Sequence, residues 1–165
     1  TLETKLYFKN FEELCVLEST QNNISFHRRI KFLLRKKESL SDFILKNADN
    51  LFKKRLLSKI RFKSYSQREL NLHLFRCNKD YIIDQLFFDC LDKKITNNKF
   101  VKFYKFSRAF KKKNMPLNGD DLIKIGFKPG KIMGNTLEKL ELFWVEKNFE
   151  CSRNECIKFV QKFLP

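Results

Sequence analysis

Lys102, Lys105, Arg108 and Lys112 succeed one another at spacings of three, three and four residues. On a helix this spacing places all four along one face, where they form a cationic ridge. The chemistry open to such a ridge is non-covalent: it neutralises successive phosphates of a nucleic acid and releases their counterions. A merely solvated helical face usually mixes acids with its bases, and this one carries no acid. A second basic group, Lys124, Lys128 and Lys131, surrounds Gly130 further along. These residues are the candidate RNA-binding set.

Other chemistry finds little support. His27 and His73 are the only histidines, no nucleophile stands at a readable spacing from a base, and the Asp residues are dispersed. The pair Gly130-Lys131 invites a phosphate-loop reading. Gly126 and Gly130 enclose only three residues, however, and Ile132 follows Lys131 where a hydroxyl is required. Five cysteines without a CxxC pair argue against a zinc site and against a disulfide scaffold. His73 and Cys77 can share a helix face, but two ligands do not make a metal site. No catalytic or metal-binding residue is assigned. Free, mostly core-facing thiols imply a reducing compartment, the cytoplasm or the mitochondrial matrix.

Against 19 Asp and Glu stand 35 Lys and Arg, a formal charge of +16 on 165 residues. The excess favours an anionic partner, nucleic acid before a membrane surface. AT-biased coding, which enriches Lys, Asn, Ile and Phe together, accounts for part of it. No apolar run reaches membrane-spanning length, so a soluble protein without a membrane partner is expected. The first residue is Thr1 rather than Met, which points to a processed or truncated chain.

The elements that must position these residues are helical. From Ser25 to Lys36, Phe26, Ile30, Leu33 and Leu34 recur on one side and Arg28, Arg29, Lys31 and Arg35 on the other. From Asp80 to Asp92 a broad apolar stripe leaves Asp84, Asp89 and Asp92 facing away. From Asn97 to Lys112, Phe100, Phe103, Tyr104 and Phe110 gather opposite the ridge. Further helices are expected at Leu2–Leu17, Leu51–Phe62, Gln67–Arg76, Asp120–Ile125, Met133–Lys147 and Asn154–Phe163. Connections are expected at Ser19–Asn23, Asn47–Asn50, Ser64–Ser66 and Asn114–Gly119. No alternating strand pattern occurs, and the fold class is all-α with seven or more helices.

All four glycines fall between Pro116 and Trp144. Asp120 and Asp121 suit a helix start, Gly126 suits a left-handed helix end, and Gly130 a crowded point between two helices. Two readings stand for this hairpin. Free amides beside Lys128 and Lys131 suit a phosphate, whereas a tight packing turn needs no ligand. Close crossing of helices at Gly126, Gly130 and Gly134 is a third possibility for their spacing.

LNGDDLIKIGFKPGKIMGNTLEKLELFWVEKNFECSRNECIKFV resembles the tail motif of class II tRNA nucleotidyltransferases, the CCA-adding enzymes and their poly(A) polymerase relatives. The matching elements are Gly119-x-Asp121-Leu122, Gly126-x-x-x-Gly130 and Gly134-x-x-Leu137. The stretch from Trp144 to Cys156 is most similar to the alphaproteobacterial and mitochondrial branch. HLFRCNKDYIIDQLFFDCLD, ISFHRRIKFLLRK and LLSKIRFKSYSQREL resemble body segments of the family. Lys131 stands where the family usually has Pro.

The resemblance implies a helical body over residues 1–114 and a tail over 115–165. The family's catalytic head, with its glycine pair and metal-binding carboxylates, and its nucleotide-templating neck have no counterpart here. On this resemblance the chain alone is not an enzyme and holds no cofactor, while the missing head would use Mg²⁺ with CTP and ATP. The implied partners are RNA, specifically tRNA gripped at its elbow, and a separate catalytic head chain. Two alternatives remain: a helix-hairpin-helix-like nucleic-acid binder, and a structural subunit of a larger ribonucleoprotein marked by an outward apolar patch.

Overall fold

The computed structural model describes residues 2–35, 46 and 49–164. Among these residues there are nine helices and no strand, as the all-α expectation requires. The helices are α1 (Leu2–Thr20), α2 (Phe26–Leu34), α3 (Asn50–Leu57), α4 (Gln67–Arg76), α5 (Lys79–Leu91), α6 (Asn97–Ala109), α7 (Gly119–Ile125), α8 (Lys131–Glu146) and α9 (Arg153–Gln161). Positions 36, 47 and 48, part of the expected helix end and connection, lie outside the described residues.

Short polar side chains set several of the starts. Ser25, Asp49 and Asn78 accept from the first-turn amides of α2, α3 and α5, and Asn118 and Ser152 form capping boxes with Asp121 and Glu155. Helix α3 ends at Leu57 rather than Phe62, and its end is capped from α2: the Lys31 ammonium donates to the carbonyls of Arg55 and Ser58 at 3.1 and 2.7 Å. Burial there pushes the Lys31 amine below its ordinary range.

The chain forms two compact units. The first takes residues 1–61 and 77–110, and the second takes 62–76 and 111–165. The segment carrying α4 therefore groups with the tail residues, a long-range association that a boundary drawn at 114 along the chain does not express.

In the first unit, α5 packs on α6 and α1, and α2 packs on α1 and α3. Ile82, Leu86 and Phe87 of α5 and Phe100 of α6 are sealed from solvent, and the rings of Phe87 and Phe100 meet edge-on at 5.0 Å. Phe103 and Tyr104 are buried as expected, but Phe110 is only half-buried and caps the helix.

The acids of α5 do not face solvent as a group. Asp84 is 0% and Asp89 3% exposed, because α5 is surrounded by neighbours and has no free face for them. Asp84 meets two guanidiniums instead. Arg28 Nε donates to its Oδ1 at 3.0 Å, and Arg55 donates through Nη2 to Oδ1 and through Nε to Oδ2, at 2.9 and 2.8 Å.

Arg28 is likewise buried rather than solvated. Its Nη1 donates to Glu18 Oε1 at 2.8 Å, and its guanidinium lies 3.7 Å from the Phe87 ring centre. Arg29 Nε and the Ser25 amide complete the lone pairs of Glu18. Burial lowers the Arg28 pKa even against the attraction of Asp84 and Glu18. Burial also opposes charge on Arg55, but the Asp84 bonds outweigh it and raise the pKa.

In the second unit, α8 packs against α4, α7 and α9. Trp144 sits edge-on between Phe75 and Phe149, at 5.3 and 5.0 Å. Seating Phe149 there requires left-handed backbone at Asn148 and Phe149, with φ of 52° and 65°. The buried Asn71 donates to Asn148 Oδ1 at 3.0 Å and holds that turn. Leu140 and Trp144 are buried as expected, and Leu137 is half-buried.

Removing one member of a buried ion cluster strands its partners. We expect Asp84→Asn to destabilise the protein by about 3–5 kcal/mol, against about 0–1 kcal/mol for Asp92→Asn, which breaks the more exposed Arg35 pair. Urea unfolding followed by circular dichroism measures both. Equal, small losses would show that the cluster is not a structural requirement.

Candidate nucleic-acid interface

Helix α6 contains no carboxylate, and Lys102, Lys105 and Arg108 are all exposed on it. None of the three pairs with an acid within 4.0 Å among the described residues, so their charge is uncompensated by neighbouring side chains. Lys112 does not join this ridge. The helix ends at Ala109, with Phe110 as its C-cap in extended backbone, before Lys112 is reached. Lys112 belongs to the second unit, where its ammonium lies 5.9 Å from the Phe75 ring centre.

Arg108 is held without a carboxylate. Its Nη1 donates to Tyr104 Oη at 3.1 Å, and Tyr104 Oη donates to the Gln21 carbonyl at 3.2 Å. One turn along from Lys102, the Phe106 ring is 38% exposed. The sequence pattern reveals neither feature: helical phase places Tyr104 among the core aromatics and does not single out Phe106.

In the second unit, Lys124 lies in the last turn of α7, Lys128 in the following turn, and Lys131 at the start of α8; all three are exposed. Gly126 ends α7 in the left-handed region at φ 115°, and Phe127 N donates to Leu122 O at 3.0 Å to close the helix. Gly130 caps α8 at φ 150° and ψ −168°, a conformation essentially restricted to glycine.

The expected crowding at Gly130 is absent. A Cβ built at Gly130 or Gly134 meets nothing within 4 Å, so neither marks a close helix crossing. The glycine is needed for backbone conformation rather than for space. No side chain caps α8, and its first turn carries no acid, which leaves the positive end of the helix unneutralised by local groups.

Arg153 fixes this hairpin and is another residue that sequence spacing does not single out. From the start of α9 it donates to both Asp121 oxygens and to the Pro116 carbonyl. The Arg153 hydrogen bond, together with the Asn118 amide, holds the Asp121 carboxyl below its usual range. Asp121 is thereby committed to structure, paired with Arg153 and the Asn118 amide.

Among the described residues, no group of three His, Cys, Asp or Glu side chains is arranged to hold a metal ion. No disulfide links the cysteines, of which Cys90, Cys151 and Cys156 are buried. No described helix is long and apolar enough to cross a membrane. Compared with protein-family models, curated proteins and solved structures, the chain matches none.

Gly130→Ala and Gly130→Leu are expected to destabilise the protein by a similar amount, roughly 1–3 kcal/mol, since the strain lies in the backbone. Thermal unfolding measures it. Unchanged stability, or a Leu variant far worse than Ala, would contradict a conformational role.

Proposed function

We propose that this chain is an RNA-holding module corresponding to the body and tail of a CCA-adding tRNA nucleotidyltransferase, with tRNA as its partner. The observation that carries the reading is the acid-free outer face of α6, where Lys102, Lys105 and Arg108 stand exposed and unpaired by carboxylates among the described residues. Lys124, Lys128 and Lys131 around the Gly130 turn supply a second basic group, and the resemblance of residues 117–159 to the family's tail supplies the kind of RNA.

Basic side chains on rigid helices contact phosphates and recognise RNA by shape rather than by base sequence. The exposed Phe106 ring adds a surface on which an unpaired base can stack. Nucleotide transfer belongs on this reading to a separate head chain using Mg²⁺, CTP and ATP. A ribonucleoprotein subunit is the second reading. It is favoured by Ile24, Phe26 and Leu51 of the first unit, which are 67%, 67% and 71% exposed and suit a protein partner.

If the basic groups neutralise about five phosphates, log affinity for tRNA falls with log salt at a slope of roughly −3.5 to −4.5. Charge reversal at Lys102, Lys105 and Arg108, or at Lys124, Lys128 and Lys131, is expected to weaken binding strongly and flatten that slope. The same number of reversals at Lys53, Lys54 and Lys59 is the control. Equal losses from all three sets would mean that the +16 charge acts diffusely.

A further inference from the structure

Beside the end of α1 the first unit has an open hollow of about 510 Å³, lined by Gln21, Asn22, Tyr104, Lys105, Arg108 and Ala109. Its lining includes a lysine, an arginine and two side-chain amides but no carboxylate. A second hollow of about 560 Å³ differs in chemistry, for Glu12 and Glu13 line it. Of the two, the first is the one with cations and no carboxylate in its lining.

The walls of this hollow are held from two directions. Tyr104, 4% exposed, donates its hydroxyl proton to the Gln21 carbonyl, and the same oxygen accepts from Arg108 Nη1. The guanidinium is therefore positioned by a neutral group and keeps its full charge for a ligand. On the other side, α1 closes in a left-handed turn, with Asn22 at φ 46° and Asn23 N donating to Glu18 O at 2.9 Å. The buried Arg28 pins that turn, donating to Asn23 O at 3.0 Å and Asn23 Oδ1 at 2.9 Å. A pinned turn and a braced arginine lose little freedom when a ligand arrives.

We propose that this hollow is a phosphate socket. Arg108 presents its fork to the phosphate oxygens, Lys105 adds a second charge, and the amides of Gln21 and Asn22 donate beside them. The volume exceeds a bare phosphate and leaves room for an attached sugar. The phosphate of an RNA chain and a free phosphate anion share this chemistry. The inference rests on the RNA reading only for the source of the phosphate.

The test separates geometry from charge. Arg108→Lys keeps the charge and loses the fork, while Tyr104→Phe keeps the ring and loses the brace. Each is expected to weaken binding of tRNA about fivefold or more, through loss of an oriented charge-assisted bond. Lys54→Arg is expected to change nothing, and circular dichroism checks that the variants fold. In parallel, the ¹⁵N-labelled full chain is titrated with inorganic phosphate at constant ionic strength. Saturable shifts at Asn22, Lys105 and the Arg108 side chain are expected.

Shifts spread evenly over the basic surface, with both variants binding tRNA like the unaltered chain, overturn the socket and leave the RNA reading standing. Saturable phosphate shifts at the socket without any tRNA binding support the socket and defeat the RNA reading. Absence of both binding events defeats both.

Discussion

Two carboxylates sealed from solvent, Glu18 and Asp84, govern the first unit, because burying a carboxylate is costly unless it is paired and hydrogen-bonded. Arg28 bridges them, and Arg29 and Arg55 saturate their outer oxygens. The cluster thereby ties α1, α2, α3 and α5 together by bonds that tolerate little displacement. Its influence reaches the surface through Arg28, whose contacts to Asn23 hold the turn beside Tyr104 and Arg108. Tyr104 of α6 meets that turn at the Gln21 carbonyl, so the ion cluster and the basic helix share one turn.

The second unit is organised by backbone conformation and capping. Gly126 and Gly130 supply the positive φ values that turn the chain between α7 and α8. Asn118 with Asp121, and Ser152 with Glu155, define the starts of α7 and α9. Arg153 joins those two starts through Asp121. The lysines around Gly130 thus follow a helix whose Asp121 is already paired with Arg153.

Much of this architecture was legible in the residues. The ends of α4 were readable because its apolar period stops between clear breakers, and Gly126 was readable because a left-handed helix end selects glycine. The core face of α6 followed from the spacing of Phe100, Phe103 and Tyr104. Asp84 and Arg28 were misjudged because helical phase assigns polar residues to solvent and cannot see a helix enclosed on every side. The apolar residues around the whole circumference of α5, from Ile82 to Leu91, were the signal that its acids had to be buried. Lys112 was misplaced because the backbone leaves the helix at Phe110, which apolar spacing alone does not show. The Tyr104 contact with Gln21 spans 83 residues of chain, beyond the reach of any local pattern.

On the proposed function, defined basic groups rather than the net charge meet RNA. Amine acetylation of the full chain, quantified by mass spectrometry with and without tRNA, tests it most directly. The account predicts that tRNA shields Lys102, Lys105, Lys124, Lys128 and Lys131 while Lys54 and Lys59 stay reactive. Uniform shielding of all lysines, or none at all, would contradict it.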